Sequence, residues 1–192
     1  MNRCEYKGWT IEILDDSTYK AGSADNKFVY SNHYFGVDAR EYPTSKHGIK
    51  IYQVEEDINS CIVIGSGGAT GVHEHSWILQ DDHLVICCCN EIFCLSIPDL
   101  DLKWRTNCDP ATCFGIYKLE DEYIVHGEIT ITRLDRSGNI RWTFGGSDIF
   151  VSLDNDDAFR LYDDHIALTD FYKTKYKVGF DGREIGVPPK NK

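Results

Sequence analysis

Two histidines two residues apart, His73 and His75 in "GVHEHSW", are the first side chains in this 192-residue chain whose type and spacing allow chemistry. On an extended strand they project to the same side and can share a metal ion. His126 and Glu128 of "HGE" make a second same-side pair, and zinc or iron would accept a set drawn from these four residues. The cysteines offer less. Cys61, Cys87, Cys88, Cys89, Cys94, Cys108 and Cys113 contain no Cys-x-x-Cys pair, so they do not spell a zinc knuckle. A nucleophilic cysteine with His126 as its base is conceivable, but small buried apolar side chains are the plainer use of such thiols. "GSGGATG" at 65–71 is followed by no Gly-Lys-Ser/Thr, so it reads as a tightly turning connection and not as a phosphate loop.

A different chemistry, that of charge, recurs along the chain. "ILQDDHLVIC", "KLEDEYIVHG" and "RLYDDHIALT" align on Leu79, Leu119 and Leu161, at spacings of 40 and 42 residues. The alignment matches Asp81, Asp82 and His83 with Asp121, Glu122 and Tyr123, and with Asp163, Asp164 and His165. Equivalent turns of a stacked array lie on one rim, so six carboxylates would crowd one side of the molecule. Such a ridge attracts a basic partner, although aspartate is also simply a good turn residue.

The elements that must carry these residues are strands. Each octet is preceded by one strand-like run and followed by two more, giving strand, acidic turn, strand, loop, strand, polar turn, strand. "ITITRLD" alternates apolar and polar residues, β-branched and aromatic residues fill the runs, and Gly, Asn and Asp fill the gaps. "SGN" at 137–139 and "DG" at 181–182 suit tight turns. The expected fold is a single all-β domain over 1–192, a propeller-like array of four-stranded antiparallel sheets. It has an irregular unit at about 1–66 and three clear units at 67–107, 108–147 and 148–189. Trp104 and Trp142 occupy matching fourth strands, where the last unit is expected to hold Ile185, and Asp148 and Asp170 are expected to bond turn amides.

A formal net charge of -11 disfavours nucleic acid and anionic lipid as partners. The opening residues "MNRCEYKGWTIEILDD" lack an apolar leader and no apolar run is long enough to span a bilayer, so a cytoplasmic protein with reduced thiols is expected.

"RLDRSGNIRW" resembles the tryptophan-docking motif of quinoprotein-like propeller repeats, of the PQQ and WD40 type, with Asp135, Ser137, Gly138 and Trp142 in the matching places. Its Asp-to-Gly spacing is one residue short, and the unit before has Pro98 and Asp99 where the turn glycine is expected. The wider run from Ser60 to Asp181 is similar to small bacterial proteins found near polymorphic toxins, where immunity proteins are encoded. That resemblance implies a non-enzymatic binding protein without a cofactor, meeting a basic protein through the acidic turns and their neighbours His83, Tyr123 and His165. The His-x-His after a glycine-rich stretch also resembles a cupin, although Gln80 stands where a glutamate is expected. A metal-dependent enzyme is therefore the alternative, and a general interaction scaffold a third.

Overall fold

The computed structural model describes residues 2–54, 56–152 and 157–186. These residues form four sheets in chain order. β1 (Asn2–Tyr6), β2 (Trp9–Asp15), β3 (Asn32–Phe35), β4 (Ser45–Gln53) and β5 (Glu56–Gly65) make a five-stranded sheet ordered β1-β2-β4-β5-β3. β6 (Trp77–Gln80), β7 (His83–Cys88), β8 (Glu91–Ser96) and β9 (Leu102–Asn107) form the second sheet as a simple antiparallel meander. The third sheet repeats it with β10 (Cys113–Leu119), β11 (Glu122–Gly127), β12 (Thr130–Leu134) and β13 (Ile140–Gly145). The last sheet has β14 (Phe159–Leu161), β15 (Ile166–Thr169) and β16 (Lys175–Val178), with a single bridge from Val178 to Glu184 in place of a fourth strand.

The architecture is all-β. The expectation of four strands per sheet holds for the second and third sheets and is corrected for the outer two. In the first, β3 pairs parallel to β5, because residues 16–31 carry the chain back across the sheet before it re-enters. The expected end of the last unit, at 189, lies outside the described residues.

The sheets bury their faces against one another in sequence. One apolar cluster joins the first and second sheets through Ile11, Ile49, Val63, Leu84, Ile86 and Phe93. A second cluster joins the second and third sheets, and a third joins the third and fourth. Middle strands are therefore covered on both sides: all six residues of β8 are buried, whereas β9 and β13 alternate between exposed and half-buried. Cys87 and Cys88 follow from this geometry. As neighbours on one strand they point opposite ways, Cys87 into the second cluster and Cys88 into the first. Thr132, on the supposedly polar side of its strand, is fully buried and donates to the Cys108 carbonyl at 2.8 Å.

Aromatic side chains lock successive sheets at their outer strands. Trp104 of β9 lies over Gly138, where an added Cβ would meet the indole at 2.5 Å, and its Nε1 donates to the Arg136 carbonyl at 3.1 Å. Trp142 of β13 repeats the contact over Gly182, donating to the Phe180 carbonyl at 2.9 Å. Both glycines have positive φ, +78° and +79°, so they satisfy a backbone demand as well as the close approach. The same position in the second sheet's last turn is Leu100, at φ 57°, and not Pro98 or Asp99. In place of tryptophan, Tyr34 of β3 donates its hydroxyl to the Leu100 carbonyl at 2.8 Å.

Each tryptophan stands four residues beyond its own sheet's turn residue, Trp104 after Leu100 and Trp142 after Gly138. Counted the same way from Gly182, the last unit has Gly186 there, one place beyond the expected Ile185. No sheet follows it among the described residues.

Candidate functional site

The acidic turns fall on one edge of the stack. The β6–β7 turn reaches the β1–β2 turn, where Lys7 Nζ meets Asp82 at 2.7 Å and the Asp82 amide donates to the Tyr6 hydroxyl at 3.1 Å. It also reaches the β12–β13 turn, where Arg136 pairs with Asp81. Glu120 of the β10–β11 turn and Asp163 of the β14–β15 turn line one shallow cavity of about 320 Å³ with Phe180.

The backbone corrects the alignment of the middle copy. Gln80 pairs with His83 around the turn pair Asp81–Asp82, whereas Leu119 pairs with Glu122 around Glu120–Asp121. Positive φ at Asp81, Asp82 and Glu120 marks these as tight hairpin turns. Glu120, not Glu122, is thus the partner of Asp121 in the turn, and Glu122 takes the place of His83. The slip by one residue sends Tyr123 to the opposite face. It is 3% exposed, packs near Trp104 at 6.3 Å between ring centres, and is a core residue and not a surface one. Leu84 and Ile166, both fully buried, take the equivalent place in the neighbouring sheets.

Most of the carboxylates are engaged. Asp81 and Asp82 tie the second sheet to the third and the first, through Arg136 and Lys7. Glu122 accepts from Arg133 at 2.6 Å and faces Arg141 at 3.4 Å, while Arg133 also donates to the Phe180 carbonyl of the last unit at 2.5 Å. Asp164 meets His165 and, at 3.6 Å, Lys177. The Lys7 hydrogen bond holds the Asp82 carboxyl below its usual range, and the His165 contact does the same for Asp164. Asp121 and Asp163 enter no hydrogen bond or ion pair among the described residues, and both are exposed. His83 is half-buried, with Nδ1 2.8 Å from the Asp81 carbonyl oxygen, and His165 stacks on Tyr162 at 4.7 Å.

The same edge exposes apolar side chains that sequence reasoning missed. Leu102 and Ile140 begin β9 and β13 at 37% and 47% exposure, and Tyr162 in the β14–β15 turn is 43% exposed. Aligning the units on Trp104 and Trp142 would have found the first two, since both lie two residues before a tryptophan.

The histidines do not assemble into a metal site. His73 Nε2 lies 3.0 Å from the Phe114 carbonyl oxygen and its Nδ1 accepts the His75 amide at 3.2 Å. The His75 ring packs against Tyr117, and His126 Nε2 lies 3.1 Å from the Phe150 carbonyl oxygen while its ring stacks on Phe159. Glu128 accepts from the Thr112 hydroxyl at 2.9 Å. Among the described residues no three His, Cys, Asp or Glu side chains are grouped to hold a metal, so the proposed convergence of His73, His75, His126 and Glu128 is corrected. Burial lowers the His126 pKa to about 4, keeping the ring neutral.

All eight cysteines are free thiols, and seven are buried. Burial pushes Cys94 up to about 12 and Cys113 well above the ordinary thiol value; Cys89, hydrogen-bonded by Cys88, is lowered to about 7 but has no exposed surface. Asp170 is buried and structural, accepting from the Thr174 amide at 2.8 Å and the Tyr176 hydroxyl at 2.7 Å. Asp148 accepts its neighbour's amide, from Ile149, at 2.7 Å. An acid not singled out from the sequence, Asp109, does more. Its two oxygens accept the amides of Ala111, Thr112, Ile129 and Thr130, fastening the turn opposite the acidic edge.

No family model matches this chain, and no curated protein matches it. Among solved structures, it is similar to the computationally designed Ika8 protein at 8% identity, covering 95% of this chain and 59% of that one, with a TM-score of 0.49. The AfRom2 CNH domain is similar at 12% identity, covering 74% of this chain and 47% of that one, with a TM-score of 0.45. The chain therefore spans 59% and 47% of the length of these two. No helix among the described residues is long and apolar enough to cross a membrane.

Proposed function

We propose that this chain is a non-enzymatic binding protein built as an open, propeller-like array, and that it acts as an immunity protein whose acidic turn edge occludes a basic surface of a toxin domain. The observation that carries this reading is the mixture on that edge. Asp121 and Asp163 are exposed and uncommitted to any ion pair among the described residues, on the same edge as the exposed Leu102, Ile140 and Tyr162. Apolar anchors set among charges are what a protein interface uses: the anchors supply buried area and the charges speed and orient encounter. The paired carboxylates have another task, because Asp81 and Asp82 tie neighbouring sheets together and Glu122 holds Arg133, which reaches the last unit at the Phe180 carbonyl. Cytoplasmic residence belongs to the same proposal and is supported by eight thiols free of disulfides.

The test is the double variant Asp121→Lys/Asp163→Lys, which leaves those fasteners intact. The chain is mixed in a stopped-flow cell, at low salt, with the polypeptide encoded by the reading frame next to its gene. The association rate is expected to fall roughly tenfold with unchanged melting temperature, and growth rescue on co-expression should weaken with it. An unchanged association rate at low salt would overturn the acidic edge as the binding surface.

A further inference from the structure

The two faces of the last sheet differ sharply. Phe159, Leu168 and Tyr176 form one cross-strand row and Leu161, Ile166 and Val178 another, and all six join the apolar cluster shared with the third sheet. Side chains alternate along a strand, so the rows Arg160–Ala167–Lys177 and Thr169–Lys175 point the other way. Arg160, Lys175 and Lys177 are exposed. A shallow cavity of about 540 Å³ crosses this outer face, lined at one end by Tyr162 and at the other by Lys173.

We propose that this face binds an acidic polypeptide segment in extended conformation. A polar outer face is what a terminal unit needs for solubility, but solubility does not ask for one sign of charge. Arg160, Lys175 and Lys177 place three positive charges on this face of a chain whose formal net charge is -11. Among the described residues, Asp157 pairs with Arg160, and Asp164 approaches Lys177 at 3.6 Å. Lys175 enters no ion pair among the described residues. Lys175 and Lys177 project from one strand about 7 Å apart, which is the spacing of alternate side chains on an extended partner. Acidic residues at every second position would therefore meet them in register. Tyr162 at one end of the face, and Phe171 and Tyr172 in the β15–β16 turn at the other, are exposed and can anchor apolar neighbours. A polyphosphate fits less well, since its unbroken run of charge would meet Asp157 and Asp164 as well as the overall negative field. This face adjoins the acidic turn edge at Tyr162, but its lysines are not part of that edge and the proposal does not depend on it.

The experiment is an anisotropy titration of the full chain into a labelled peptide of alternating glutamate and valine at low ionic strength. A single-stranded oligonucleotide of equal charge serves as competitor. Saturable peptide binding is expected, weakened at least about tenfold by Lys175→Glu/Lys177→Glu and unaffected by Asp121→Lys/Asp163→Lys. Lys175→Gln/Lys177→Gln should give a smaller loss, and it decides the matter if melting shows the reversal variant to be unfolded. The absence of saturable binding, binding indifferent to the lysine substitutions, or competition by the oligonucleotide as strong as by unlabelled peptide would each overturn the proposal.

Discussion

The junction between the first two sheets and the two junctions that follow solve one mechanical problem with different residues. Between later sheets an indole lies on a glycine and donates to a carbonyl two residues upstream of it. At the first junction a phenol reaches the carbonyl of Leu100 itself, from a strand running parallel to its neighbour. Leu100 keeps the positive φ that glycine adopts elsewhere, yet its side chain is fully buried in the cluster between the first two sheets. What the array requires is a turn of fixed backbone shape with a donor seated above it. Glycine and tryptophan are one way to meet that requirement.

The difference can be broken open by mutation. Trp104→Ala or Trp142→Ala removes both ring packing and a hydrogen bond, and each is expected to cost about 4 kcal/mol in urea unfolding. A cost below about 1 kcal/mol would mean that the docking contact contributes little.

The first sheet buries a neutral histidine and the third half-buries another, which gives a second comparison of intermediate size. His47 is fully buried and its pKa is lowered to about 4, first by burial and further by His73, against the raising effect of Asp15. His126 is likewise lowered to about 4 by burial. Since the folded pKa values lie below the ordinary 6.5, the unfolded chain takes up protons first. Stability is therefore full above pH 6.5 and is lost as pH falls toward 4, by on the order of 3 kcal/mol for His47. Unfolding measured at intervals from pH 7 to 4 should show this slope, reduced in His47→Gln. A slope identical in the variant would assign it to other groups.

The smallest effect belongs to Tyr34→Phe, which deletes one hydroxyl at the first junction and is expected to cost about 1 kcal/mol by the same unfolding measurement. A cost equal to that of the tryptophan variants would show the three junctions to be energetically alike.

The second and third sheets were legible in the sequence because both elements of their docking, tryptophan and turn, recur at fixed distance, and because apolar strands alternate with polar turns. The middle hairpin was misread by one residue. Leucine alignment cannot distinguish a turn at Glu120–Asp121 from one at Asp121–Glu122, while strand pairing can, since a shift of one exchanges the two faces. That shift buried Tyr123. The parallel β3 was hidden for a related reason: nothing local in "NHYF" specifies the direction of its neighbour, which only the return path of residues 16–31 decides. The histidines misled because spacing on a strand states which way side chains point, and says nothing of the carbonyls and rings that already occupy them. Ion pairing on the acidic edge was equally invisible, as Lys7 and Asp82 lie 75 residues apart.

The side of the first sheet turned away from the rest is sealed by Tyr19, Tyr30 and Ala39, which pack on Ile62 and Ile64. That lid gives the molecule a direction. A module added in front would find its docking ground already taken by an apolar cover, whereas one added behind would meet a charged sheet face.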